Sequence, residues 1–214
     1  LTYAEMIKKI QENKYIKKTL KSYDKKIILN AISSDKKYLE GLFFPDSYYF
    51  YKNTSDIEIL QNSHKVLKRK LQSVWDNRSP ELPYKNMYEA LIIASIIEKE
   101  VGVIEEAPII AGVFVNRINV GMPLQSDPTV IYGMGKKFNG NITRKDLKKD
   151  TPYNTYTRKG LPPSPISLPS LSSIEAALNP VKTNALYFVA KGNRRHHFSA
   201  TLKEHNRAVR KYQK

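Results

Sequence analysis

The chain has 214 residues, no cysteine, and 36 basic against 20 acidic residues, which gives a formal net charge of +16. This length allows one or two domains with a hydrophobic core, and the missing cysteine excludes disulfides and a thiol nucleophile. The lysines are scattered, without zinc-finger spacing, an aromatic RNA-binding motif or a glycine-rich phosphate loop. Nucleic acid, anionic lipid headgroups and acidic cell-wall polymers all fit this charge, and so does simple solubility.

The N-terminal part of the chain is predicted to be helical and basic. Two short apolar stripes at helical spacing lie among the lysines of residues 1–40. Ser55 or Asp56 can cap a further helix that runs to about Trp75. The polar, proline-containing stretch 77–83 follows, and it is the predicted boundary to a second unit.

A dense aromatic run, LEGLFFPDSYYFY, occupies residues 39–51. Its tyrosines and phenylalanines could stack on a sugar or a base. Aromatic runs interrupted by glycine and proline are more often a strand and a turn packed into a core, and we predict that structure here.

The most apolar run of the chain, NMYEALIIASIIEKEV, spans residues 86–101. Asn86 can cap a helix, and Glu89 stands three residues later, where a capping box requires an acid. The helix is apolar nearly all round from residue 91 to residue 97, so we expect it to be buried. It is too short to cross a bilayer.

This helix ends in two carboxylates, Glu98 and Glu100, which are about 200° apart around the helix axis and so point to nearly opposite sides. The negative pole of the helix dipole disfavours an ionised carboxylate at this end and raises its pKa. A glutamate held in this way is a candidate general acid. The alternative is that one or both acids are solvated and paired with lysine.

Two polar, proline-punctuated stretches follow a second predicted helix, 109–120. The first covers residues 122–133, and the second comprises 152–156 and 160–166. Both are predicted to be loops, and loops of this composition often carry binding groups on a rigid scaffold. Taken alone, a stretch of this kind is more often an ordinary surface loop without a binding role.

The C-terminal part is predicted to contain a short helix at 170–178, a strand at 186–190 with its return at 196–199, and a final helix at about 201–212. The inward residues of the final helix are predicted to be Leu202, Val209 and Tyr212. Because adjacent strand residues face opposite ways, His196 and His197 are not expected to bind a metal together.

Six segments, in order along the chain, resemble the MltG (YceG-like) family of endolytic murein transglycosylases. They are LEGLFFPDSYYF at 39–50, ASIIEKE at 94–100, VNRINVGMPLQSDPTVIYGMG at 115–135, YNTYTRKGLPPSPI at 153–166, AALNP at 176–180 and LYFVA at 186–190. The resemblance implies an α+β fold, in which a helical N-terminal region precedes a mixed α+β lytic-transglycosylase catalytic domain. On this basis residues 1–82 are the pre-catalytic region, a remnant of or sequel to a LysM-like subdomain, and 83–214 are the YceG-like catalytic domain.

The resemblance also implies a protein of the bacterial cell envelope, anchored in the inner membrane by an N-terminal helix, with this region in the periplasm. The chain opens at Leu1 without a methionine, and we expect it to be a processed or trimmed piece of a longer protein. The implied partners are peptidoglycan glycan strands, with peptidoglycan synthases as a further option and no nucleic acid. No metal or cofactor is implied.

The family's catalytic glutamate lies in the EKE segment, and its match here is Glu100, with Glu98 as the alternative. The family often has a small or hydroxyl residue after this acid, whereas the present chain has Val101. The substrate-binding residues that the resemblance and side-chain chemistry suggest are Gln125, Ser126, Asp127, Thr129, Tyr132, Tyr153, Asn154, Thr155, Tyr156 and Pro163.

An ordinary glycosidase needs two carboxyl groups, whereas a lytic transglycosylase can work with one, because the C6 hydroxyl of its substrate is the nucleophile. The implied reaction cleaves the β-1,4 bond between N-acetylmuramic acid and N-acetylglucosamine and leaves a 1,6-anhydro end, which would terminate or trim nascent strands. Two alternatives remain from the sequence. One is a non-catalytic glycan-binding scaffold of wall synthesis, and the other, based on charge alone, is a nucleic-acid binder.

Overall fold

The computed structural model describes residues 1–213, and within them the fold is α+β and rich in helix, as predicted. Two short 3-10 turns, Ile104–Glu106 and Gly135–Lys137, accompany the main elements. The main elements are α1 (Tyr3–Glu12), α2 (Lys25–Ala31), α3 (Asp56–Asp76), α4 (Met87–Glu100), α5 (Ala107–Asn119), α6 (Asp127–Met134), α7 (Arg144–Lys148), α8 (Leu171–Leu178), β1 (Tyr187–Gly192), β2 (Arg195–Ser199) and α9 (Leu202–Tyr212).

Helix α4 lies at the centre of the larger hydrophobic cluster and packs against α3, α5, α6 and α8. All residues from Ala90 to Ile97 are buried, which confirms the prediction of a buried helix. Full burial of one large aliphatic side chain contributes about 1.5–3 kcal/mol, so this helix contributes strongly to the core. The Oδ1 atom of Asn86 accepts from the amide of Glu89 at 3.0 Å, but the carboxylate of Glu89 accepts from Lys85, so only half of the predicted capping box forms.

A second hydrophobic cluster joins α1, α2 and the first half of α3 to residues 39–43. Helix α3 belongs to both clusters, because Leu60 packs in this cluster and Leu67 and Leu71 pack against the surroundings of α4. Ser55, one of the two predicted caps, fixes the start of α3, and it does so through a capping box with Glu58. The division of the chain at residues 82 and 83 remains a prediction.

The aromatic run at 39–51 does not form the predicted strand. The amide of Phe44 donates to the carbonyl of Ser63 in α3 rather than to a neighbouring strand, and Gly41 has a positive φ of 80°. The first half of the run is buried, whereas the side chains of Tyr49 and Tyr51 are 101% and 91% exposed. Without a partner strand, the tyrosines have no sheet surface to pack on.

The predicted loop at 122–133 is also partly wrong, because its second half is α6. Ser126 occupies the N-cap position and Pro128 lies in the first turn, where its missing N–H costs no hydrogen bond. The turn of positive φ at Gly135 ends the helix.

The prediction for α9 was wrong at Leu202, which is 54% exposed; the buried residue of that helix is Ala208.

The sheet is a single antiparallel hairpin in which β1 pairs with β2, with Val189 opposite His197. Its turn passes through Asn193 and Arg194, which have positive φ angles of 50° and 59°. The hairpin packs against both α9 and α5. Within residues 1–213, no helix combines the length and the apolar character needed to span a membrane.

Candidate active site

The C-terminal end of α4 brings Glu100 to an open cleft of about 350 Å³. The cleft lies between the 125–127 segment, the hairpin and α9. Gly102, two residues after Glu100, lets the chain that leaves α4 approach the hairpin turn. A Cβ atom at Gly102 would lie 2.0 Å from the carbonyl oxygen of Arg194 in the hairpin turn, so only glycine permits this approach. The residues that line the cleft are Glu100, Arg117, Gln125, Asp127, Tyr156, Phe188, Val189, Ala190, His196, His205, Val209 and Gln213.

The carboxyl group of Glu100 is held in a partly buried position by one short hydrogen bond. The Oγ atom of Ser126 donates to its Oε1 atom at 2.5 Å. Burial raises the pKa of Glu100 to about 7; the Ser126 hydrogen bond and the charge of Arg117 oppose this rise, and the negative charge of Asp127 adds to it. A carboxyl group with this pKa is substantially protonated near neutral pH, so it can donate a proton.

The raised pKa of Glu100 makes stability depend on pH. Its folded pKa of about 7 lies above the ordinary value of 4.5, so the resulting stabilisation is complete below about pH 4.5 and is lost as the pH rises through 7. Between pH 4.5 and 8 we therefore expect the free energy of unfolding of the natural chain to fall about 1–3 kcal/mol more than that of Glu100→Gln. Urea unfolding across this range measures the difference, and parallel curves for the two proteins would contradict it. Glu40, whose pKa burial also raises to about 7, titrates equally in both.

Glu98 points away from this cleft and caps another helix. Its Oε2 atom accepts from the amide of Ser170 at 2.9 Å and from the hydroxyls of Ser170 and Ser173 at 2.6 and 2.7 Å. These contacts lie at the N-terminus of α8, where a negative charge is favourable.

Removing this cap is expected to destabilise the fold. Glu98→Ala should lower the free energy of unfolding by about 1–3 kcal/mol, because the serine hydroxyls and the amide lose a charged acceptor. Glu98→Gln, which keeps one acceptor oxygen, should cost less. Urea unfolding compares the three proteins, and an Ala variant as stable as the natural chain would show that α8 needs no such cap.

The structure brings four of the predicted binding residues to Glu100. Gln125, Asp127 and Tyr156 line the cleft, and Ser126 lies just beneath the surface with its hydroxyl on Glu100. The hydroxyl of Tyr156 donates to Oδ1 of Asp127 at 2.6 Å, which fixes both side chains at the rim. The backbone amide of Gln125 donates to the backbone carbonyl of Thr155 at 3.0 Å, so a hydrogen bond joins the two polar stretches of the sequence here.

Three more predicted residues lie behind the cleft rather than on its surface. Thr129, Asn154 and Thr155 are each at most 2% exposed. The Oγ1 atom of Thr155 accepts from the amide of Ser126 at 3.0 Å and lies 2.9 Å from that of Thr129. The amide nitrogen of the Asn154 side chain donates to backbone carbonyls at the end of α7, including Lys149 at 2.7 Å. These side chains position the segments that carry the cleft residues.

The remaining three predicted residues lie outside the cleft lining. The rings of Tyr132 and Tyr153 pack with their centroids 4.9 Å apart, and the Tyr153 hydroxyl lies 2.7 Å from that of Ser164. Pro163 is exposed and borders a separate depression of about 310 Å³ together with Gly160. Their predicted role in substrate binding has no support from a contact with Glu100.

Sequence reasoning missed Arg117, His196 and His205, which reach the cleft from α5, β2 and α9. Arg117 is buried, and its Nε and Nη1 atoms each donate at 2.6 Å to backbone carbonyls, of Leu186 and Leu124. Arg117 is the single charged residue of helix α5, and that was the one signal available for it. No pattern marked His196 or His205 as a residue of this cleft, because their positions depend on how the hairpin and α9 dock.

The Nδ1 atom of His196 lies 2.8 Å from Oε2 of Glu106, and the Glu106 carboxylate also accepts from the His196 amide at 3.0 Å. This pair ties β2 to the short 3-10 turn before α5. His197 lies elsewhere, with its ring 5.7 Å from that of Tyr212. In the part of the chain that the structure describes, no group of three or more histidines and acids is placed to hold a metal ion.

Comparison with known proteins places this geometry in a family. The sequence profile of the YceG-like family matches residues 1–211. An endolytic murein transglycosylase of Bacillus subtilis (strain 168) is 38% identical over 211 residues, which cover 97% of this chain and 58% of that protein. One from Streptococcus pneumoniae serotype 2 (strain D39) is 34% identical over 198 residues, which cover 89% of this chain and 35% of that protein.

Among solved structures, a putative yceG-like protein from Listeria monocytogenes superposes with a TM-score of 0.68 at 36% sequence identity. That match covers 95% of this chain and 62% of the Listeria chain. The present chain thus spans between about a third and three fifths of the length of these relatives. Because the family profile matches nearly the whole chain, the protein belongs to the YceG-like family.

Proposed function

We propose that this chain is the catalytic part of an endolytic murein transglycosylase, a lyase that cleaves the β-1,4 bond between N-acetylmuramic acid and N-acetylglucosamine. The observation that carries the proposal is Glu100, a partly buried carboxyl group in an open cleft, with a pKa of about 7 and a serine hydroxyl on one oxygen. Two relatives that bear the name endolytic murein transglycosylase support the same reaction.

In the first step, protonated Glu100 donates its proton to the glycosidic oxygen. The bond between C1 of N-acetylmuramic acid and this oxygen breaks, and N-acetylglucosamine leaves with a free 4-hydroxyl. Positive charge develops on the muramic acid ring in the oxocarbenium-like transition state. The carboxylate of Asp127, on the cleft wall and fixed by Tyr156, supplies negative charge that stabilises this state.

In the second step, the Glu100 carboxylate removes the proton of the C6 hydroxyl, and O6 bonds to C1. The product is a 1,6-anhydro end, Glu100 is protonated again, and no water is consumed. The charge of Arg117 stabilises the Glu100 carboxylate between the two steps.

We further propose that residues 83–214 form the catalytic unit and that 1–82 are a helical region that supports it. All cleft-lining residues fall between Glu100 and Gln213, which agrees with this division. The net charge of +16 suits a position outside the cytoplasm, beside anionic wall polymers and lipid headgroups. An inner-membrane anchor and contacts with peptidoglycan synthases are part of the same proposal, whose basis is the family resemblance.

A non-catalytic glycan-binding scaffold would share this cleft but would tolerate loss of Glu100. The experiment is to incubate the purified chain with isolated, insoluble peptidoglycan and measure the soluble muropeptides by mass spectrometry. The proposed function predicts soluble products from the natural chain and none from Glu100→Gln. Binding to the polymer without release of products from either protein would favour the scaffold.

A further inference from the structure

One wall of the cleft is a stack of three side chains from three different elements. The guanidinium carbon of Arg117 in α5 lies 5.4 Å from the ring centroid of Tyr187 in β1. The Tyr187 ring in turn stacks on that of His205 in α9, with centroids 5.2 Å apart and planes inclined by 24°. Arg117 and His205, at the two ends of this Arg–Tyr–His stack, both line the cleft that contains Glu100.

Both ends of the stack carry polar atoms without a protein partner. Among residues 1–213, the Nη2 atom of Arg117 has no acceptor, since only Nε and Nη1 donate to backbone carbonyls. Neither ring nitrogen of His205 has a partner among these residues; Nδ1 is buried, so Nε2 is the nitrogen that a ligand in the cleft can reach. Burial and the charge of Arg117 lower the pKa of His205, so its imidazole is neutral near pH 7 and offers one N–H.

The charge of Arg117 is incompletely compensated before the reaction begins. No carboxylate lies within ion-pair distance of its guanidinium in residues 1–213, and Glu100, the acid whose charge it affects, is protonated in the starting state. A buried cation with only carbonyl partners favours a further acceptor, preferably one with a strong dipole or a negative charge. Because the cleft is open, a bound substrate can supply this further acceptor to Arg117.

We infer that the Arg–Tyr–His stack binds an acyl oxygen of the glycan, and this inference rests on the proposed function. Such an oxygen has two sources in peptidoglycan, the acetamide carbonyl carried by both sugars and the lactyl group carried by N-acetylmuramic acid. Each source places a methyl group beside its oxygen. The apolar side chains of Val189, Ala190 and Val209, which line the same cleft, provide a surface for that methyl group.

The test uses His205→Phe, made in the inactive Glu100→Gln chain so that no ligand is consumed. Phenylalanine keeps an aromatic ring on Tyr187 and removes both nitrogens. Isothermal titration calorimetry measures binding of two probes, chitohexaose, which has only acetamides, and glycan strands stripped of their stem peptides, which have acetamides and lactyl groups. Loss of one hydrogen bond to the ligand is expected to weaken binding about 10-fold.

The two probes distinguish the two sources of the oxygen. Equal weakening for both probes assigns the acetamide, whereas weakening only for the muramyl strands assigns the lactyl group. His205→Gln, which keeps a donor, should remain within about 3-fold of the parent chain. His197→Phe is the matched control, because its ring packs on Tyr212 away from the cleft, and it should leave binding unchanged.

A merely structural role for His205 predicts a different result. Since His205→Phe removes a buried nitrogen without a partner, its stability should equal or exceed that of the parent chain. A Phe variant that binds both probes as tightly as the parent chain would overturn the inference. The inference would also fail if the Phe variant were unfolded and His205→Gln bound the probes as weakly as that variant does. If the natural chain solubilises peptidoglycan in that case, the proposed function stands without it. If the natural chain releases nothing and the parent binds neither probe, both fall.

Discussion

Glu100→Gln is expected to lower kcat/KM for cleavage of peptidoglycan strands by about 1000-fold, because glutamine cannot donate a proton to the glycosidic oxygen. The substitution is nearly isosteric, and the hydroxyl of Ser126 can still donate to the remaining amide oxygen. The fold should therefore persist, with higher stability than the natural chain above pH 7, where the natural glutamate is ionised and buried. Release of soluble muropeptides over time, with unfolding curves for both proteins, measures both effects.

The matched control is Glu98→Gln, which makes the same change two residues earlier on the same helix. Glu98 caps α8 and does not line the cleft, so this variant should retain activity within about 3-fold and lose only some stability. A folded but inactive Glu98→Gln chain, together with an active Glu100→Gln chain, would reverse the assignment of the acid.

Arg117→Met is expected to lower the free energy of unfolding by about 2–4 kcal/mol. Methionine fills part of the same volume, but the carbonyls of Leu186 and Leu124 then lose their donor inside the protein. These two carbonyls lie where the hairpin and the 122–126 segment meet α5, so the loss loosens the cleft as well. Urea unfolding measures the change. Arg207→Met, at an exposed position of α9, is the control and should stay within about 0.5 kcal/mol of the natural chain.

The same substitution should also shift the pH dependence of catalysis. The positive charge of Arg117 lowers the pKa of Glu100, so its removal raises that pKa further. A general acid with a higher pKa stays protonated to higher pH. In the folded fraction of Arg117→Met, the alkaline fall of kcat/KM should therefore occur at a pH that is higher by a measurable fraction of a unit. A limb that moves downward, or does not move, would show that Arg117 does not act on the ionisation of Glu100.

The sequence allowed prediction of those features that depend on neighbouring residues. The apolar run and its capping asparagine predict α4, and the spacing of Glu98 and Glu100 predicts that they face opposite sides. The structure places one on α8 and the other in the cleft. The motif around residue 126 predicts polar groups near the acid, and Ser126 is bonded to it.

Features that depend on distant packing could not be predicted in this way. The aromatic run at 39–51 lacks a partner strand, which no local pattern reveals, and its backbone bonds to α3 instead. Thr129 and Asn154 are polar residues in polar stretches, yet they are buried and bonded to backbone. The stack of Arg117 and His205 through Tyr187 joins residues from three elements, and only the docking of the hairpin and α9 brings them together.

In the proposed mechanism one carboxyl group, Glu100, directs an intramolecular transfer that consumes no water. The most direct measurement is digestion of isolated peptidoglycan by the natural chain in water enriched in oxygen-18, with mass spectrometry of the new glycan ends. The expected products are 1,6-anhydro-muramyl ends without oxygen-18, formed by the natural chain and not by Glu100→Gln. Reducing ends that carry one oxygen-18 atom would contradict this mechanism, because water would then be the nucleophile. A second carboxylate would have to activate that water, and Asp127 is the other carboxylate that lines the cleft.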